Sequence, residues 1–130
     1  MTNGLENRPR WILFIAAISG ALTVGLGAFA AHALKHHLSP YLLGVFKTGV
    51  QYQAWHTLAL LGCGILTRFL SSKAVSYAAL FFAIGIICFS GSLYALALTG
   101  IKWFGPITPM GGVCFIIGWV MLAIATWRSA

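Results

Sequence analysis

From Trp11 to Ala31 the chain reads WILFIAAISGALTVGLGAFAA, 21 residues without a charged side chain. A hydrocarbon core about 30 Å thick takes roughly 20 apolar residues of α-helix, so this stretch is long enough to cross a bilayer. A secretory signal has similar flanks, and Arg8, Arg10 and Ala31-His32-Ala33 imitate them. Signal apolar regions run only about 7–15 residues, so the length favours a retained span. Three further apolar runs follow. The expected spans cover about 11–33, 49–67, 74–98 and 108–127, within a single transmembrane domain of residues 1–130. Short connections between them predict an up-down order. The expected fold class is all-α, an integral membrane four-helix bundle.

Composition agrees. Sixty per cent of the residues are hydrophobic, 7% are charged, and the mean hydropathy is +0.93. A soluble domain carries about 25% charged residues, so this chain lacks the polar surface to stay dissolved. Eight Lys and Arg face a single acid, Glu6. One carboxylate excludes paired-carboxylate hydrolysis and argues against an acid-ligated Mg²⁺ or Ca²⁺ site. The basic residues fall in ones and twos between apolar runs, as loop charges of a membrane protein do. They form no continuous face for nucleic acid. Cys63, Cys88 and Cys114 sit in separate runs without a CxxC pair, and read as small buried hydrophobes.

Ser39-Pro40 reads as N-cap and first helical residue. Helix 2 is therefore expected to begin before the membrane core, with an interfacial amphipathic start over Tyr41 to Lys47. Gly100 reads as a helix-ending residue, and Pro106 and Pro109 mark the next start. Residues 1–10 are polar and read as a frayed end. Four spans place Arg8, Arg10, Arg68, Lys73 and Arg128 on one side and Lys35, Lys47 and Lys102 on the other. The positive-inside rule then puts both termini in the cytoplasm. Trp11, Trp127 and Trp103 suit an aromatic belt.

Within span one, Ala16, Ser19, Gly20, Thr23, Gly27 and Ala30 fall within about a 100° arc. In lipid, helices associate through close approach at small residues, so this stripe is expected to face neighbouring helices. Gly91, Gly111, Gly112 and Gly118 extend the theme to spans three and four. Gly25 to Ala30 also matches the dinucleotide fingerprint G-x-G-x-x-A, but no acid follows and no strand precedes it.

Polar groups inside the spans are the candidate site. Helix 2 carries Gln51, Tyr52, Gln53 and His56, with Tyr52, Gln53 and His56 on one face and Gln51 pointing away. Span three offers Ser90 and Tyr94 on one side and Ser92 opposite, and Thr108 opens span four. The up-down order gathers them in the outer half of the bundle. They form either an interhelical hydrogen-bond network or a polar-lined pocket for a lipid-like ligand. His32 and His36 are an i,i+4 pair, but no carboxylate or cysteine accompanies them and His32 points away from the stripe, so no metal or cofactor is expected. Ser90, Ser92 and His56 lack an acid to orient the imidazole, so no catalytic residue is expected. Without an Asp or Glu in any span, cation-coupled export loses its usual central group.

Several segments resemble a known family: Gly25-Leu-Gly-Ala-Phe-Ala-Ala-His32, Phe46-Lys-Thr-Gly-Val-Gln-Tyr-Gln53 with His56-Thr-Leu-Ala-Leu-Leu61, Phe89-Ser-Gly-Ser-Leu-Tyr94, and Ile107-Thr-Pro-Met-Gly-Gly112. Their order and content resemble the small membrane proteins catalogued as domain of unknown function 423, the YgdD-like proteins. The first motif carries Ala30 where the family pattern has Gly. The resemblance implies four spans and a bacterial inner-membrane setting, with no established activity. Its motif positions are His32, Gln51, Tyr52, Gln53, His56, Ser90, Gly91, Ser92, Tyr94, Thr108 and Pro109. The expected function is a non-enzymatic role in membrane organisation or envelope integrity, with membrane lipids as partners and a homo-oligomer open. The alternative is a small transporter or carrier using His56, Gln53 and Tyr94.

Overall fold

The computed structural model describes residues 8–128. The end expected to fray therefore lies, over residues 1–7, outside the described residues. Five α-helices make four rods: α1 (Trp11–His32), α2 (Pro40–Leu66), α3 (Lys73–Gly85) continued by α4 (Gly91–Thr99), and α5 (Ile107–Arg128). Among the described residues there is no strand. Three rods are long and apolar enough to cross a membrane, and α2 is the exception because of its polar residues.

Local chemistry sets the ends. Ser39 Oγ accepts the Leu42 N–H at 3.2 Å and Pro40 occupies the first turn of α2. Ser72 Oγ accepts the Ala74 N–H at 3.3 Å at the start of α3. Gly100 takes φ +71°, the left-handed conformation that ends α4, and its N–H reaches the Leu96 carbonyl at 2.7 Å.

Neighbouring rods run antiparallel. Along α1 and α2 the meeting pairs are Leu13 with Gly64, Ser19 with Thr57, and Gly27 with Val50. Along α3–α4 and α5 they are Phe82 with Gly118, Phe89 with Gly111, and Ser92 with Thr108. The small stripe of α1 does face α2: Ala16, Ser19 and Ala30 are buried, and Gly20 and Gly27 abut Thr57 and Val50. The apolar core lies around Leu60, Val75, Phe82 and Phe115, with a second cluster around Ala30, Leu34, Phe46 and Ala97. Phe46 is fully buried there, so the amphipathic start of α2 lays its apolar side on the protein.

Two packing expectations need correction. Span three is not one regular helix, because Ile86–Ser90 forms a π turn between α3 and α4. Such a turn holds one extra residue within an α-helix, and it rotates the two halves relative to a continuous 3.6 period. Gly91 was expected to mediate close packing, yet a Cβ there would meet nothing within 4 Å. Ser90 bonds to α2 and Ser92 to α5, and the side chain that packs against both of these helices is Phe89, not residue 91. Gly111 does carry close approach, since a methyl there would overlap the Phe89 backbone, and Gly112 lies 3.9 Å from the Phe89 ring by the same measure.

Candidate functional site

The polar side chains of α2 reach three different neighbours. Gln53 is buried and bonds on both sides: its Nε2 donates to Ser19 Oγ at 3.1 Å and the Ser19 carbonyl at 3.3 Å. Its Oε1 accepts from the Tyr94 hydroxyl at 2.6 Å. Ser19 Oγ shares a 2.6 Å hydrogen bond with Thr57 Oγ1. One amide thus ties α1, α2 and α4 together. One turn earlier, Ser90 Oγ donates to the Gly49 carbonyl at 2.7 Å. A methyl at Gly49 would come within 2.7 Å of the Tyr94 ring, so the glycine lets α4 approach α2 closely.

His56 belongs to a separate set. The Trp119 N–H donates to His56 Nε2 at 3.0 Å, and His56 Nδ1 lies 2.7 Å from the Tyr52 carbonyl. An indole N–H can only donate and a carbonyl can only accept. Nε2 is therefore the bare nitrogen and Nδ1 carries the proton, a tautomer assigned from its partners. The ring stacks on Phe115 at 3.5 Å between centroids, with Phe82 and Trp119 beside it. Both nitrogens are occupied by protein groups, which leaves neither a lone pair for a metal nor a proton acceptor for catalysis. Among the described residues no three His, Cys, Asp or Glu side chains come together. A third set joins Ser92 to Thr108 at 2.6 Å.

The structure thus brings Gln53, His56, Ser90, Ser92, Tyr94 and Thr108 into interhelical hydrogen bonds, in three separate sets, and Tyr52 into ring contact with Phe89 and Phe115. It leaves out two expected members. Gln51 is exposed because two residues along a helix turn it about 200° from Gln53. His32 is exposed on the far side of α1 from the stripe. The bonded sets lie between one end of the bundle and its middle, where the up-down order gathers them. Thr108 opens α5 at that end, while Ser19 and Trp119 stand near the midpoints of α1 and α5. At 1.5 Å per residue, the sets descend from one end to roughly the middle.

Ser19, Thr57, Gly49 and Trp119 were not among the expected site residues. Thr57 was accessible to periodicity, since it lies one turn beyond Gln53 on the same face. Ser19 reads from the sequence as a small packing residue, and nothing local pairs Trp119 with a histidine 63 residues away.

Two lateral grooves flank these groups. One, of about 240 Å³, lies between α1 and α3, with Phe14, Ile18 and Leu22 on one wall and Ala83, Ile86 and Ile87 on the other. Ser19 and Gln53 border it, but its lining is almost wholly apolar. The other, of about 420 Å³, lies between α2 and α5 over Tyr52, His56, Phe89 and Phe115.

Comparison with known proteins gives one consistent picture. Residues 26–112 match the family described as protein of unknown function (DUF423). A UPF0382 membrane protein of Staphylococcus aureus (strain bovine RF122 / ET3-1) is 47% identical, covering 91% of this chain and 96% of the relative. The UPF0382 inner membrane protein YgdD of Escherichia coli (strain K12) is 41% identical, covering 92% of this chain and 91% of the relative. No solved structure matches.

Proposed function

The chain belongs to the DUF423 family of membrane proteins, and from that premise we propose a non-catalytic inner-membrane protein that engages a lipid-like chain at the apolar crevice between α1 and α3. The observation that carries this reading is a division of labour. The polar side chains of the helical interior are bonded to one another, while the crevice beside them offers hydrocarbon on both walls. The hydrogen bonds then act as a lock that holds α1 and α4 on α2. The crevice receives an acyl or prenyl chain, and the role is in membrane organisation.

A carrier has less support, because it needs a continuous polar path and the polar groups here close in separate sets. In this reading α2 crosses the bilayer with its neighbours, and both termini share the cytoplasmic side.

The test is a native mass spectrum of protein extracted in mild detergent. Ala83→Phe fills the crevice without touching the hydrogen bonds. We expect a stoichiometric lipid-like adduct on the natural sequence that is lost in Ala83→Phe, with the helical content unchanged. A variant that keeps as many lipid-like adducts as the natural sequence, or a bare natural protein, would overturn the reading.

A further inference from the structure

The end of the molecule made by the start of α1, the α2–α3 loop and the last turn of α5 carries Arg8, Arg10, Arg68, Lys73 and Arg128. The only acid of the chain, Glu6, lies outside the described residues. A cleft of about 400 Å³ opens here, lined by Phe69, Leu70, Ser71, Ser72, Ala125 and Arg128.

Its side-chain chemistry is one-sided. Arg8 grips the loop, with Nη2 donating to Ser71 Oγ at 2.8 Å and Nη1 to the Leu70 carbonyl at 3.4 Å. Its Nε is the one buried side-chain polar atom without a partner among the described residues. Ser71 Oγ accepts from Arg8, and Ser72 Oγ accepts from the Ala74 N–H. Each serine hydroxyl therefore keeps its own proton to donate. With the Arg128 guanidinium, the polar side chains lining this cleft are donors and cations, and among the described residues no carboxylate competes for them. Phe69 and Trp127, 78% and 85% exposed, stand at the same end as aromatic side chains do at a membrane interface.

We propose that this cleft binds the phosphate of an anionic phospholipid headgroup. Arg128 and the hydroxyls of Ser71 and Ser72 are the direct ligands, and Arg8 positions the loop. A guanidinium fork matches phosphate oxygens in pairs, and basic pockets between helices at the membrane surface are suited to anionic headgroups. The site is distinct from the crevice between α1 and α3 and does not depend on what occupies it.

The experiment is native mass spectrometry of the full chain in mild detergent, titrated with phosphatidylglycerol and, separately, phosphatidylcholine. Preferential uptake of phosphatidylglycerol is expected. Arg128→Gln should weaken it about fivefold, the effect of one surface cation on an anionic lipid. Arg128→Lys should retain most of it, and Lys102→Gln, at the opposite end, should leave it unchanged. Arg128 is exposed in the last turn of α5, so its variants keep the fold. Ser71→Ala supplies an independent check on the loop and should also weaken binding. Equal uptake of the two lipids, or indifference to both Arg128→Gln and Ser71→Ala, overturns the proposal. Displacement of phosphatidylglycerol by inorganic phosphate, with the same variant dependence, overturns the lipid as the source and leaves a site for the free anion.

Discussion

The Gln53 amide is the side chain on which the most helices depend. Replacing it with leucine removes the acceptor of Tyr94 and the donor to Ser19 in one step. Interhelical hydrogen bonds in membranes average about 0.6 kcal/mol and reach about 1.7, so Gln53→Leu should cost roughly 1–3 kcal/mol. Unfolding in a graded denaturing detergent measures this. Gln51→Leu, at an exposed amide, should stay within about 0.5 kcal/mol of the natural sequence. Equal losses for the two would remove the network from the account of stability. His56→Leu strands the Trp119 N–H and loses the bond to the Tyr52 carbonyl, and it should cost about 1–2 kcal/mol by the same measurement. These residues were legible because helical period alone puts Gln53 and His56 on one face and Gln51 off it. Their partners were not, because a hydrogen bond between helices depends on how the rods are juxtaposed. Ser19 looks from the sequence like any small residue of a packing stripe.

At the level of the element, close approach is concentrated at a few glycines. A methyl at Gly111 meets backbone atoms of Phe89, which cannot swing aside, whereas a methyl at Gly91 meets open space. Gly111→Ala should therefore destabilise by about 1–3 kcal/mol, as overpacking does. Gly91→Ala should fall within about 0.5 kcal/mol of the natural sequence. A thermal melt of the two variants separates them, and a milder effect at Gly111 would mean that α3 and α5 can slide apart. The π turn makes a sharper claim. It carries one residue more than a regular helix needs, so deleting the exposed Ile87 should let Ile86–Ser90 relax to α-helix. The faces of Phe82 and Tyr94 then keep their relation. Deleting Leu80, also exposed, instead turns Ala78 and Ala79 about 100° away from Phe82. The melting temperature should fall less for the Ile87 deletion, and the reverse order would sink this account. No residue in Ile86-Ile-Cys-Phe-Ser90 announces the turn, since it contains neither Pro nor Gly. The opposite facing of Ser90 and Ser92 was still readable, because it depends only on the register within α4.

Across the whole molecule, α2 is the member around which the others assemble. It packs along α1 on one side and along α3 and α4 on the other, while α5 packs along α3. That explains why the least apolar rod carries the most polar contacts: its Gln53 amide, His56 imidazole and Thr57 hydroxyl are met by neighbours before lipid can meet them. The same arrangement fixes which charges share an end. Antiparallel neighbours put the start of α1, the α2–α3 loop and the end of α5 together, with Arg8, Arg10, Arg68, Lys73 and Arg128. Lys35, Lys47 and Lys102 lie at the other end. On the proposed four crossings, retention of basic residues on the cytoplasmic side predicts that the first end and both termini lie there. A fluorescent reporter that matures only in the cytoplasm should glow when fused at either terminus, and a phosphatase active only outside should stay silent at both. Opposite signals at the two termini would break the four-crossing arrangement. Phosphatase activity at both would keep the bundle but invert it, and would move the arginine-lined cleft to the outer leaflet.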